Sequence, residues 1–355
     1  MKINGRPRLK TAVSVIVAVI LIMAATLAVA YDVFISYKDP YHDKVSAAGF
    51  TEKRAQIGEV NFNYAEGPDN GPALLLLHAQ HMDWYSYSRV LPILSETFHI
   101  FAVDYHGHGK TTAPVEYMYA NQIGGDLAKF IESVIKEPVY VSGNSSGGIL
   151  AAWLASKRPE LIKAVVLEDP SLFSGEYPRV LDTIADKSFA ICDAFVQENG
   201  DDFLLYWIEN CRDFFKKYVG FDAAPLLAAS ITAYRDNNPG EAVEINYLPE
   251  TVRLMMRGMN YYDPHFGAAF HNGTWNEGFD HAEALRDIKC PVLLLHANFE
   301  ILEDGVFSGA IDQDEADRIV SLIPDCRYMR IDSEHVIHLD KPADYIGVIR
   351  SFFGA

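Results

Sequence analysis

The stretch Val139-Tyr140-Val141-Ser142-Gly143-Asn144-Ser145-Ser146-Gly147-Gly148 sets two adjacent serines among glycines at the end of an apolar run. Counted from Gly143, the residues Gly143-Asn144-Ser145-Ser146-Gly147 follow the spacing G-x-S-x-G, in which the middle serine sits on a sharp turn from strand to helix. Ser145 is therefore the candidate nucleophile. Ser146 acts through its backbone N–H, because the amide after such a nucleophile points at the developing oxyanion. A serine hydroxyl is a weak nucleophile at neutral pH and needs a base within hydrogen-bond reach and an acid to orient that base. The base is expected downstream, in "DSEHVIHLDKP", where His335 and His338 follow the last strand-like run. A loop in that place can return a side chain to the mouth of a sheet, beside the elbow.

These groups must be positioned by the elements around them. From about Arg54 onward, apolar runs of strand length alternate with helical patterns, the signature of a mostly parallel sheet. The runs "ALLLLH" (from Ala73), "HIFAVDY" (from His99), "VYVSGN" (from Val139), "AVVLED" (from Ala164), "VLLLHA" (from Val292) and "CRYMRID" (from Cys326) read as strands. An opening hairpin, "AQIGEVNFNYAEG", turns at Gly58. Uninterrupted apolar runs suit strands covered on both faces. Between Pro170 and about Asp287 the alternation stops, and aromatic and methionine residues appear at helical spacing. The expected organisation is a segment 1–31, a linker 32–53, a first core part 54–170, a helical insertion 171–287 and a second core part 288–355.

The chain of 355 residues has a formal charge of −18, which argues against nucleic acid as a partner. Its basic N-terminus, "MKINGRPRLK", precedes twenty uncharged, largely apolar residues from Thr11 to Ala30, long enough to cross a bilayer with the basic flank inside. A single-pass membrane anchor with the remainder outside the cytoplasm is the expectation. The alternative is a signal peptide cut after Ala28-Val29-Ala30 and a secreted product. Cys192, Cys211, Cys290 and Cys326 show no CxxC spacing, and the histidines form no H-E-x-x-H cluster, so no metal is expected.

From Arg54 to Phe353 the chain resembles the α/β-hydrolase fold family. "DSEHVIHLDKP" stands where the family has G-H-x-x-H-x-E-x-P, with Glu334 in place of the common glycine. "LLLHAQ" stands for its H-G-x turn, and "DYHGHGKT" for its D-x-x-G-x-G-x-S turn. The resemblance implies an eight-stranded, mostly parallel sheet with flanking helices and an inserted helical cap. It implies His335 as the catalytic histidine, His338 as a structural one, and His106 and His108 as loop residues. The second oxyanion donor is then the N–H of Gln80 or Ala79. Ala79 replaces a glycine, so a left-handed conformation there would be strained. The acid of the triad has two places. "HANFE" aligns Glu300 with the usual aspartate, with Glu303 and Asp304 nearby, and this placement is preferred. The alternative is Asp169, at the end of the sixth strand. Cys290 and Cys326, before two strands that neighbour each other in this fold, are expected close enough to pair. Relatives that open epoxides or remove halogens carry aspartate at the elbow, so serine points to acyl transfer. The expected function is hydrolysis of a small hydrophobic carboxylic ester or lactone without a cofactor. A hydrolase of amide or C–C bonds, or a non-catalytic ligand-binding or adhesion protein on the same scaffold, are the alternatives.

The register of the glycines separates the two serines. Ser145→Ala should abolish hydrolysis and labelling by a fluorophosphonate, whereas Ser146→Ala should keep most of both, since only its amide is used. Equal loss in both folded variants would overturn the assignment.

Overall fold

The computed structural model of the chain describes residues 31–212 and 221–354, together with 17, 19–23, 25, 26, 29 and 216. The expected anchor, residues 11–30, lies in part outside the described residues, and among these no helix is long and apolar enough to cross a membrane.

Eight strands form one sheet: β1 (Thr51–Ile57), β2 (Val60–Glu66), β3 (Ala73–Leu77), β4 (His99–Asp104), β5 (Val139–Ser145), β6 (Ile162–Pro170), β7 (Val292–His296) and β10 (Cys326–Arg330). A separate two-stranded ladder pairs β8 (Glu300–Ile301) with β9 (Phe307–Ser308). The order in the large sheet is β1-β2-β4-β3-β5-β6-β7-β10. β1, β2 and β4 pair antiparallel, and every later pairing is parallel. Side chains alternate between faces along a strand. Leu75, Leu77, Val141, Val165, Leu167 and Leu294 accordingly join the core on one face, and Leu74, Leu76, Ile100, Val166, Leu293 and Leu295 join that on the other. Both faces must therefore be covered, which is why these strands read as unbroken apolar runs. The helix Ser146–Lys157 packs on the first face, and Pro342–Phe353 on the second. β10 differs: it is an edge strand with mostly exposed side chains, in keeping with its mixed sequence.

Between β6 and β7 the chain is helical: α1 (Ile184–Glu198), α2 (Phe203–Asn210), α3 (Ala224–Asn237), α4 (Glu250–Met259), α5 (His265–Asn272) and α6 (His281–Asp287). Their buried aromatics, such as Phe189, Phe266, Phe270 and Trp275, are continuous with the core on the first face. The four cysteines are free thiols. The pairing expected of Cys290 and Cys326 is not formed, and the register sets Val292, two residues beyond Cys290, opposite Cys326.

The stretch 32–53, expected as a linker, is built into the fold. It carries the helix Tyr41–Ala47 and the start of β1. Its Asp39 is buried and accepts two hydrogen bonds of 3.0 Å from Arg89, one of 2.9 Å from the Tyr41 N–H, and one from Arg253 of α4. Burial would raise the Asp39 carboxyl, but these bonds outweigh it and hold the group well below the usual carboxylate range. Glu244 accepts from the Asp39 N–H at 2.7 Å and lies 2.7 Å from His42 Nε2, while Arg257 pairs with Asp83 at 3.2 Å. The cluster thus ties the N-terminal segment, the sheet layer and α4 together. Removing one member of a buried ion cluster leaves the others uncompensated. Asp39→Ala is expected to lower the unfolding free energy by about 3 kcal/mol in a urea titration. A loss in the range of an exposed pair, below about 0.5 kcal/mol, would show that the cluster does not hold the elements together.

Candidate active site

The turn from β5 into the helix Ser146–Lys157 places Ser145 at φ 58° and ψ −120°, a conformation that side chains rarely adopt. Close packing imposes it. A Cβ on Gly143 would stand 2.2 Å from the Gly147 carbonyl oxygen, and one on Gly147 would stand 2.3 Å from that of Leu77. The glycines of the motif therefore let the helix start against β3 and β5. Ser145 Oγ lies 3.1 Å from Ser171 Oγ and borders a cavity of about 370 Å³. The Ser146 hydroxyl is occupied elsewhere, 2.9 Å from the Tyr105 hydroxyl, and its amide lies in the first turn of the helix.

His335 borders the same cavity. Its Nδ1 lies 2.7 Å from Asp169 Oδ2, and the other oxygen of Asp169 accepts from the Ala297 N–H at 3.0 Å. The carboxylate thereby fixes the proton on Nδ1 and leaves Nε2 as the acceptor. Burial disfavours the imidazolium, yet the hydrogen bond and charge of Asp169, aided by Glu168, outweigh it and raise the His335 pKa above its ordinary 6.5.

The preferred acid, Glu300, is not at this place. It stands on β8, exposed, and Glu303 and Asp304 are exposed in the same hairpin, where Asp304 pairs with Lys187 at 3.5 Å. The chain after β7 runs out into this ladder and carries its carboxylates to the surface. Asp169 instead takes φ 41° at the end of β6, which turns its side chain towards His335. Aspartate tolerates such a left-handed conformation better than most residues, and its place at the end of the sixth strand-like run was the signal in the sequence.

Two residues that spacing did not single out support the set. Asn144 donates to the carbonyls of Glu168 at 3.0 Å and His335 at 3.1 Å, tying β5 to the end of β6 that carries the acid and to the segment that carries the histidine. Glu168 accepts from the His338 N–H at 2.8 Å, and both its oxygens lie 2.9 Å from His338 Nδ1. Tyr87 stacks on that ring with centroids 4.0 Å apart. His338 is thus buried behind the site.

In the turn after β3, Ala79 and Gln80 border the cavity alongside Ser145 and Ser146. The left-handed residue is His81, at φ 62°, so alanine at position 79 carries no such strain. The Gln80 side chain donates to the Tyr262 hydroxyl at 2.6 Å. His106 lies 3.1 Å from Asp126 of the helix Ala120–Phe130, and His108 Nδ1 lies 2.9 Å from the His106 carbonyl, so both are engaged away from the cavity. Met82, Val180, Phe189, Met255 and Phe270 give the cavity a largely apolar lining.

Ser145 and His335 border one cavity together with Ser146 and the Ala79–Gln80 turn, and with Asp169 on His335 they are the parts of a set that moves a serine proton to a histidine. Only neutral His335 can accept that proton, so the acid limb of hydrolysis should lie above pH 6.5, with activity falling as the pH drops through the raised pKa. Asp169→Asn should remove the cause of the rise, move the limb to lower pH and reduce kcat by about 10⁴. Glu300→Gln should leave kcat within a factor of about 2, since surface substitutions seldom matter. Kinetics across pH 5 to pH 9 on both variants check this, and the reverse ranking would return the acid to β8.

The chain matches the alpha/beta hydrolase fold family over residues 72–342. It is 28% identical over 125 residues to the 2-(acetamidomethylene)succinate hydrolase of Mesorhizobium japonicum, covering 35% of this chain and 45% of that protein. To epoxide hydrolase 3 of Siraitia grosvenorii it is 27% identical over 215 residues, or 58% of this chain and 65% of that one. The matches thus span less than two thirds of either relative. A solved bacterial membrane phospholipase A superposes with a TM-score of 0.60 at 18% identity, covering 97% of this chain and 98% of its own, a likeness of fold. With the sheet order, the serine turn and the family match in agreement, this chain belongs to the alpha/beta-hydrolase fold family.

Proposed function

We propose that the protein is a serine hydrolase that cleaves a hydrophobic carboxylic ester or lactone through an acyl-enzyme on Ser145. The observation that carries this reading is the 2.7 Å bond from Asp169 to His335 beside a serine elbow on one largely apolar cavity. His335 Nε2 takes the hydroxyl proton as Ser145 Oγ attacks the carbonyl carbon, and the N–H groups of Ser146 and Gln80 stabilise the oxyanion. As the intermediate collapses, the C–O bond to the alcohol breaks and His335 returns the proton to the leaving oxygen. Water then attacks the acyl-enzyme, giving its proton to His335, which passes it to Ser145 Oγ as the acyl C–O bond breaks and the carboxylic acid leaves. No cofactor enters the cycle. Although one relative is named an epoxide hydrolase, the residue at the elbow of this chain is serine, which favours an acyl-enzyme. The basic and apolar N-terminus supports a protein held in the membrane by that segment, with the hydrolase part outside the cytoplasm.

A fluorophosphonate probe followed by mass spectrometry, with a panel of p-nitrophenyl esters and lactones, tests the reading. Labelling at Ser145 is expected, with acyl-chain-dependent turnover and release of p-nitrophenol. An unlabelled protein that turns over none of the panel would point instead to a scaffold used only for binding.

A further inference from the structure

We infer that the cavity selects substrates whose acyl part carries no negative charge, and that Glu334 is the residue that discriminates against anions. This rests on the acyl-transfer reading above. Among the described residues bordering the cavity, none is lysine or arginine, and Glu334 is the one acid. It is exposed, stands one residue before His335, and has its N–H held by Asp340 at 3.1 Å. It therefore borders the cavity beside His335, one of the reacting groups.

The lack of cations is a product of the fold. On α4, Thr251 and Met255 border the cavity, while Arg253 and Arg257 turn away into Asp39, Asp83 and Glu244. Each pair is four residues apart and so shares one helix face. Lys187, next to Ser188 on α1, reaches Asp304 instead, and Arg179 is taken by Glu315 at 3.1 Å. The hydroxyls of the lining are partly committed as well. Ser174 donates to the Ala310 carbonyl, Thr183 donates to the Val180 carbonyl at 2.7 Å, and Ser188 accepts from Trp207 at 2.7 Å. A substrate carboxylate would lose its water without gaining a cation, and would meet the Glu334 charge as well. An uncharged acyl chain gains from the same apolar walls.

The test compares p-nitrophenyl butyrate with p-nitrophenyl hemisuccinate, similar in size and different in charge, on the full-length protein. The native protein should favour the butyrate by about 100-fold in kcat/KM, and Glu334→Gln should narrow that ratio by about tenfold. Glu334→Lys should narrow it further, and added salt should weaken the effect, as it screens a charge at the mouth. Using the ratio separates charge selection from any general loss through the neighbouring His335. Equal use of the two esters by the native protein overturns the inference, and so does an unchanged ratio in both variants. Failure of the hydrolase reading is distinct: neither ester is cleaved and Ser145 takes no fluorophosphonate, and the charge rule falls with it.

Discussion

The hydrogen bond between Asp169 and His335 joins segments 166 residues apart, and the geometry of the site depends on it. A buried carboxylate is tolerated only when its lone pairs are satisfied. Here the imidazole takes one oxygen and the Ala297 amide the other, so β6, β7 and the histidine loop meet at one side chain. Asn144 secures the junction from β5 by binding the backbone on both sides of it. Because these partners sit on adjoining parallel strands, the position of the imidazole is set by the sheet rather than by a free loop.

Two neighbouring acids, Glu168 and Asp169, take two histidines of one segment, His338 and His335, and only His335 borders the cavity. Glu168 is still in the strand and turns inward to a ring that is fully buried and stacked on Tyr87. Asp169 has left strand geometry through its positive φ and points the other way. One change in backbone conformation between adjacent residues thus separates a pair that holds the loop in place from a pair that can exchange a proton with the cavity.

The helical segment between β6 and β7 does more than roof the cavity. A Cβ on Gly258 of α4 would stand 2.2 Å from the His81 carbonyl oxygen, so the helix backbone bears directly on the turn that carries Ala79 and Gln80. Tyr262 holds Gln80 from the same side, and Arg257 holds Asp83 just beyond the turn. The turn that carries Ala79 and Gln80 is therefore braced from the insertion, and the Arg257–Asp83 pair in that brace also directs an arginine of α4 away from the cavity.

The parallel sheet, the serine turn and the histidine loop were legible in the sequence because each rests on local rules. Apolar runs of strand length mark strands covered on both faces, and the spacing of Gly143 and Gly147 marks a close helix–strand approach, while His335 stands where a loop after the last strand must return. The acid was not legible in the same way. Glu300 and Asp169 both follow strands that end at one edge of the sheet, and their distance from the histidine depends on where each loop travels afterwards. The two-residue ladder of β8 and β9 sends Glu300 outward, whereas a left-handed residue at the end of β6 turns Asp169 inward. The packing of residues 32–53, the brace at Asn144 and the direction of the arginines on α4 were likewise decided by tertiary contacts. The sequence by itself determined which chemical groups were present and which elements carried them. Which carboxylate meets the histidine was decided only by the folded backbone, because a hydrogen bond needs atoms within about 3 Å, and no spacing along the chain sets that distance between residues so far apart.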